Sequence, residues 1–377
     1  MPGRMIKSGR LRGNSRRIDD EILRCILRYQ GADEIPENIF EELAFKIFLF
    51  QYLENKNYRK YCEIEGKNPQ NLKSWKDIPA MPAEGFKELT LRTFPAKKVA
   101  RVFKTSGTTR GRRGSHYFDT LKLYEAAVLP SFRKYLLPDR SRMEMFFLTA
   151  SPQELSASSL SYMMGVVQKK FSFGTKARFY VHQGNLLSAK LAYDLLSQKK
   201  PVMILSTAFS LKSFLDYLEK NKISIRLKPG SRLMETGGFK GRANEVSKKV
   251  LYRESEKRLG ISPFFCVSEY GMTELSSQFY DTTLYDRWKG LKRKPFKAPP
   301  AWMRTVVIDP QTGEEAPPGQ KGLLRHFDLA NRGSVLAVQT QDIGIRRGEG
   351  FEFIGRAKGA ALRGCSLTYE DFLNLRR

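Results

Sequence analysis

The stretch PVMILSTAFSLKSFLDYLEKNKISIRLKPGSRLMETGG, residues 201–238, decides the fold. It opens with a short apolar run suited to a strand. A helix-length segment follows, with apolar residues three and four apart, and a second apolar run ends on paired glycines. The same rhythm extends both ways. Strands are expected at RVFKT (101–105), MEMFFLT (143–149), ARFYVH (177–182) and PFFCVSEYG (263–271). Helices are expected near 119–137, 156–170, 186–199, 207–221 and 242–259. Such alternation predicts an α/β fold, a mostly parallel sheet with helices on its faces.

The flanks read differently. Residues 17–30 and 37–53 carry helical apolar spacing, so 1–98 is expected to be a helical N-terminal region and 99–299 the α/β core. From residue 300 the runs WMRTVVID, GLLRHFD, VLAVQTQD and FEFIGR, separated by the turn-rich PQTGEEAPPGQKG, predict a small β subdomain over 300–377. GLKRKPFKAPPAW, residues 290–302, reads as a surface connector.

Composition narrows the function classes. No apolar run in the 377 residues approaches the roughly 20 needed to span a membrane, and the basic N-terminus has no apolar segment of the secretory kind behind it, so a cytoplasmic protein is expected. Cys25, Cys62, Cys266 and Cys365 lack zinc-site spacing, and His116, His182 and His326 lie far apart in the chain. A metal, if used, is expected on carboxylate and phosphate oxygens. The net charge of +27 fits nucleic acid, an anionic membrane or an acidic protein partner, yet no helix-turn-helix, zinc-finger or RNP signature organises it into a reader of bases.

Three segments carry chemistry. FKTSGTTRGRRGSHYFD, residues 103–119, interleaves hydroxyls with glycine and then arginines, the composition of a phosphate cradle and equally of a polar loop. It follows an expected strand and precedes an expected helix, the setting of a strand-to-helix phosphate loop, but it fits neither the Walker form nor the dinucleotide glycine fingerprint. ETGGFKG (235–241) places glycines at a strand's carboxyl end, where ligands approach open α/β sheets. In CVSEYGMTELSS (266–277), Tyr270 is placed to stack on a base, Thr273 to bond a phosphate and Glu274 to hold Mg²⁺; the plain alternative is a polar turn around a packed tyrosine.

The ordered set TSGTTRG, EYGMTE, QDIG and FIGR resembles that of the adenylate-forming superfamily. SPQELSASS, PPAWMRTVVIDPQTGEEAPPGQKGLL and GCSL resemble more narrowly the acyl-protein synthetases, which include the fatty-acid ligases of bacterial bioluminescence, over residues 75 to 370. The resemblance implies an adenylate-forming domain that uses ATP and Mg²⁺ to make an acyl adenylate and passes the acyl group to a thiol. By motif position it implies triphosphate contacts at Thr105, Ser106, Gly107, Thr108 and Thr109, and Gly237 and Gly238 lining the adenine and acyl pocket. It implies Tyr270 on adenine, Thr273 on phosphate, Glu274 at Mg²⁺, Asp342 on the ribose hydroxyls and Arg356 near the nucleotide. Cys365 aligns with the cysteine that carries the acyl group in that family, and Arg363 and Lys358 are placed to favour its thiolate. Two departures stand out. Arg110, Arg112 or Arg113 replaces the usual loop lysine, and the lid domain bearing a catalytic lysine is expected to be absent or vestigial.

The expected substrate is a fatty or other carboxylic acid, and an acidic acyl-carrier protein or an acyl reductase is the expected acceptor. Two rivals remain open: a ligase with a small acceptor such as coenzyme A, and a basic nucleic-acid-binding protein with degenerate ATP motifs. No specific nucleic acid is expected on the leading reading.

Overall fold

The computed structural model describes residues 15–105, 112–173, 178–237 and 246–357. Three helices come first: α1 (Ser15–Tyr29), α2 (Glu37–Glu54) and α3 (Lys56–Ile64). Ile18, Ile22, Cys25 and Ile26 form the buried stripe of α1. Asn55 separates α2 from α3, and its side chain caps α3 by accepting from the Tyr58 amide at 3.2 Å. Next come β1 (Met81–Pro82), α4 (Gly85–Glu88), β2 (Arg101–Lys104), β3 (Ser115–Phe118) and α5 (Lys122–Leu136).

The alternating part of the chain follows as β4 (Glu144–Ala150), α6 (Ser159–Phe171), β5 (Phe179–His182), β6 (Asn185–Leu186), α7 (Ser188–Leu196), β7 (Val202–Thr207), α8 (Ala208–Lys220), β8 (Arg232–Thr236), α9 (Lys248–Leu259) and β9 (Cys266–Tyr270). Strands β7 and β8 are buried on both faces, which is why they read as unbroken apolar runs. Helix α8 begins where the Thr207 hydroxyl accepts from the Ser210 amide at 3.0 Å. The chain continues through β10 (Phe279–Asp281), α10 (Thr283–Lys289), β11 (Lys297–Ala298), β12 (Met303–Ile308), β13 (Lys321–Asp328), β14 (Ala337–Arg347) and β15 (Gly350–Arg356).

All but β2 and β3 join one sheet, in the order β12-β13-β14-β15-β11-β10-β9-β8-β7-β4-β5-β6, with β1 parallel to β14. Strands β5, β4, β7, β8 and β9 run parallel, as crossover helices require. From β9 the pairing turns antiparallel through β10, β11, β15 and β14 to β12. The fold is therefore α/β with a large mixed sheet and flanking helices. Helices α5 and α6 cover one face of the parallel part and α7 to α9 the other, while α1 to α3 share an apolar core with β12, β13 and β14.

The seam between the two halves is narrow. Strand β15 meets β11 through the single pair Lys297 and Phe351. Gly350 allows it, because a Cβ there would stand 1.9 Å from the Lys297 carbonyl oxygen.

Two expectations are corrected. Residues 290–302 are not a surface connector throughout, because 297–298 form β11 and residues 297–302 are buried. The glycine-rich segment after RVFK joins two antiparallel strands and does not lead straight into a helix: Lys104 pairs with Ser115 and Arg101 with Phe118. Residues 115–118 alternate, with His116 and Phe118 buried and Ser115 and Tyr117 half-buried, a strand period short enough to vanish beside the long helical pattern of α5. Arg332, buried in the β13–β14 turn, ties this hairpin down. Its guanidinium reaches Asp19 of α1 at 2.6 and 2.7 Å and Asp119, just past β3, at 3.1 Å through two nitrogens.

Candidate active site

Strand β9 is where parallel pairing ends, and the turn behind it gathers polar groups from four directions. The half-buried Tyr270 closes the strand, edge-on to Phe279 and Phe351 at centroid distances of 5.6 and 5.2 Å and tilted against Phe353 at 5.5 Å. Its hydroxyl donates to Asp342 Oδ2 at 2.8 Å. A phenol has one proton, so the contact at 3.3 Å with His326 Nε2 is one in which the ring N–H donates to the phenol oxygen. His326 Nδ1 is then free to accept from the Thr305 hydroxyl at 2.9 Å. Burial drives the His326 pKa down to about 3, so the ring is neutral and the chain Thr305, His326, Tyr270, Asp342 has one direction. Burial also raises the Asp342 carboxyl above its ordinary range, opposed by Tyr270 and by Arg356. Arg356 lies directly across from Asp342 in the β14–β15 ladder, exposed, with Nη2 donating to Gln341 Oε1 at 3.2 Å.

The turn that follows is held from beneath. Asp328 at the end of β13 accepts from the Ser276 and Ser277 amides, each at 2.9 Å, and from the Ser277 hydroxyl at 2.9 Å. Asn331 Nδ2 donates to the Glu274 carbonyl at 2.9 Å, and the Asn331 carbonyl in turn accepts from buried Gln51 of α2 at 2.9 Å. His116 Nδ1 donates to the Thr273 carbonyl at 2.8 Å, and burial lowers the His116 pKa to about 4. With the backbone fixed, the Thr273 hydroxyl sits 3.4 Å from the Ser159 hydroxyl at the start of α6. Glu274 is only 8% exposed, and burial pushes its carboxyl up to about 7, with Glu84 adding to the rise and Lys87 and Arg356 opposing it. Its own backbone N–H lowers the value as well, but burial outweighs these opposing influences. Among the described residues no three His, Cys, Asp or Glu side chains group to hold a metal.

Two further sides close in. Thr105, at the end of β2, is pinned to the far side of its loop: its carbonyl accepts from Arg113 Nε at 2.6 Å, and its hydroxyl accepts from the Gly114 amide at 2.8 Å. Lys104 bonds the Ala157 carbonyl at 2.8 Å, so the segment before α6 lies along the same hairpin. On the β8 side Gly237 takes φ 71°, a turn that a side chain would strain. Beside it the Thr236 hydroxyl donates to Glu269 Oε2.

The structure thus brings Thr105, Gly237, Thr273 and Glu274 near the end of β9, beside Tyr270 of that strand and Asp342 and Arg356 of β14 and β15, with Tyr270 and Asp342 bonded directly. Ser106, Gly107, Thr108, Thr109, Gly238 and Cys365 lie outside the described residues, as does Arg110. Of the loop arginines, Arg113 is spent on backbone carbonyls.

Several participants escaped the sequence reading. His116 and His326 support the turn and the tyrosine, although their wide separation argued against any joint role. Glu269 is buried, and burial lifts its carboxyl to about 7; a carboxylate inside an apolar strand was the available signal. Gly271 makes room for it, since a Cβ there would meet Glu269 Oε1 at 2.3 Å. On the opposite face buried Lys297 donates to the Ser268 carbonyl at 2.5 Å and pairs with Asp281 at 3.2 Å, its pKa lowered by burial to about 8.

Comparison with known proteins bears on the fold and the family. The fold is similar to that of 2-hydroxyisobutyryl-CoA ligase solved in the postadenylation state with 2-HIB-AMP, with a TM-score of 0.64 and 16% identity over 86% of this chain and 69% of that one. The chain is 23% identical to a long-chain-fatty-acid-luciferin-component ligase of Aliivibrio fischeri over 95% of each chain. It is 22% identical to the enzyme of the same description from Vibrio harveyi, over 94% of this chain and 93% of that one. The family described as "Acyl-protein synthetase, LuxE" matches residues 11–374, and the chain belongs to that family.

Proposed function

We propose that this chain is an ATP-dependent ligase that activates a long-chain fatty acid as its acyl adenylate and transfers the acyl group to a protein thiol, with Cys365 as the carrier. The observation that carries the reading is the convergence of Tyr270, Thr273, Glu274, Asp342 and Arg356 at one end of the sheet, in a chain matched by the acyl-protein synthetase family from residue 11 to 374.

Each residue then has a task suited to its chemistry. Asp342 gives one oxygen to Tyr270 and keeps Oδ1 to accept from the ribose hydroxyls. Tyr270, held by His326, sets that carboxylate's orientation and is the ring that would stack on adenine. Gly237 and Gly238 let backbone approach the nucleotide and the acyl group. Thr105 starts, and Arg113 braces, the loop in which Ser106, Gly107, Thr108 and Thr109 meet the triphosphate, and the Thr273 hydroxyl meets a phosphate from the opposite side. Arg356, exposed beside Asp342, places a fixed cation near the α-phosphate.

A single carboxylate suits Mg²⁺, which is commonly held by one or two carboxylates with phosphate oxygens supplying the rest. Glu274 is that carboxylate, and the ion would neutralise charge on the pyrophosphate as it leaves. An acidic carrier protein or an acyl reductase is the acceptor class that a chain of charge +27 would attract.

The test is intact-protein mass spectrometry after incubation with Mg²⁺, ATP and a series of fatty acids. An ATP-dependent, hydroxylamine-labile acyl adduct, absent in Cys365→Ser, is the expected result. Release of AMP and pyrophosphate with no adduct at Cys365 would transfer the role of acceptor to a small thiol such as coenzyme A.

A further inference from the structure

Outside the site, α10 and the segment that follows it form an exposed basic and aromatic strip. Residues 287–295, RWKGLKRKP, are all exposed, and five of the nine are Lys or Arg. Gly290 ends α10 with φ 69°, so the strip turns there. Trp288 and Leu291 are 50% and 45% exposed, and neighbouring Phe264 is 53% exposed. Each aromatic has a cation beside it: the Arg287 guanidinium lies 4.5 Å from the Phe264 ring centre, and Lys289 Nζ lies 4.7 Å from that of Trp288.

Two of the five cations are neutralised locally, Arg293 by Asp286 at 2.7 Å and Lys294 by Glu352 at 2.7 Å. Arg287, Lys289 and Lys292 have no ion-pair partner among the described residues, and the strip itself contains no carboxylate. Three large apolar side chains are therefore about half exposed, with the unpaired Arg287 and Lys289 against the two rings.

We propose that this strip rests reversibly on an anionic lipid surface. Trp at headgroup depth, an apolar side chain entering the acyl boundary and lysines reaching phosphates is the arrangement that holds a protein at a bilayer interface without crossing it. The exposed side chains sit on the last turn of α10 and on the segment after Gly290, a short stretch in which aromatic and aliphatic groups alternate with Lys and Arg. The inference is independent of the ligase reading and holds whatever acid or acceptor the site uses.

Trp288 makes the test direct. Trp75 and Trp302 are 4% and 1% exposed, so Trp288 is the residue whose emission a membrane can change. The full-length protein is mixed with vesicles of phosphatidylglycerol and phosphatidylcholine, with and without brominated acyl chains, at low and at 0.5 M salt. Expected are quenching by brominated anionic vesicles, none by pure phosphatidylcholine, and release by salt. Trp288→Phe removes the optical signal while most co-sedimentation persists. Lys289→Glu with Lys292→Glu weakens co-sedimentation by about thirtyfold or more at unchanged melting temperature, at roughly a kilocalorie per charge. Absence of binding to anionic vesicles at low salt overturns the proposal. So does binding that the double variant leaves intact, and so does capture of polyglutamate by the strip with vesicles ignored, which would make it a docking face for acidic protein.

Discussion

Replacing Glu274 by glutamine separates what this carboxylate does for the site from what it costs the fold. Burial lifts its pKa from the ordinary 4.5 to about 7, so the folded protein holds a proton that the unfolded chain has already released between those values. With the folded pKa above the unfolded one, this group's contribution to stability is fully present below pH 4.5, falls as pH rises through the interval, and is lost above about 7. The gap corresponds to about 3 kcal/mol at most. Glutamine carries no charge to desolvate and keeps the shape, so Glu274→Gln is expected to match wild type near pH 4.5 and to exceed its stability at pH 8 by about 2 to 3 kcal/mol. Urea unfolding at both pH values measures this. Glu269, whose carboxyl burial lifts to about 7 as well, contributes to both proteins alike and cancels in the difference. The same variant is expected to lose Mg²⁺-dependent pyrophosphate release, the trade of stability for function seen at active sites. A variant weaker than wild type by the same margin at pH 5 and pH 8 would refute the reasoning and make Glu274 a structural carboxylate.

Tyr270→Phe removes the donor that orients Asp342, and is expected to raise the KM for ATP about tenfold with a smaller effect on kcat, the size of one hydrogen bond to a charged group; steady-state kinetics with varied ATP reads this split. Arg332→Met leaves Asp19 and Asp119 facing each other without their shared cation, and is expected to cost about 3 to 5 kcal/mol in urea unfolding and to loosen α1 and the β2–β3 hairpin together.

The parallel half of the sheet was legible because its strands are buried on both faces and its helices are long enough to show their period. Strands β10 and β11 were not. Each is two or three residues long, and Lys297, a buried cation in a segment rich in exposed ones, gave the second the look of a surface connector. The β2–β3 hairpin was misplaced for a related reason, since four residues of strand alternation abut fifteen of helix. Within the site, Tyr270, Thr273, Glu274, Asp342 and Arg356 were legible as motif positions, but their supports were not. That His326 would turn toward Tyr270, or Asp328 toward Ser276 and Ser277, depends on strand register between distant segments, which local pattern does not encode.

The position of β15 bears on how the protein comes into being. Because β15 lies between β14 and β11, a ribosome must release residues 350–356 before the two halves of the sheet can meet. Until then the edges of β11 and β14 remain unpaired in a nascent chain that has otherwise acquired most of its core, the condition under which strands from neighbouring molecules pair wrongly. Production of this protein is therefore expected to depend on slow translation or chaperone cover late in synthesis, and fragments ending before residue 350 are expected to aggregate.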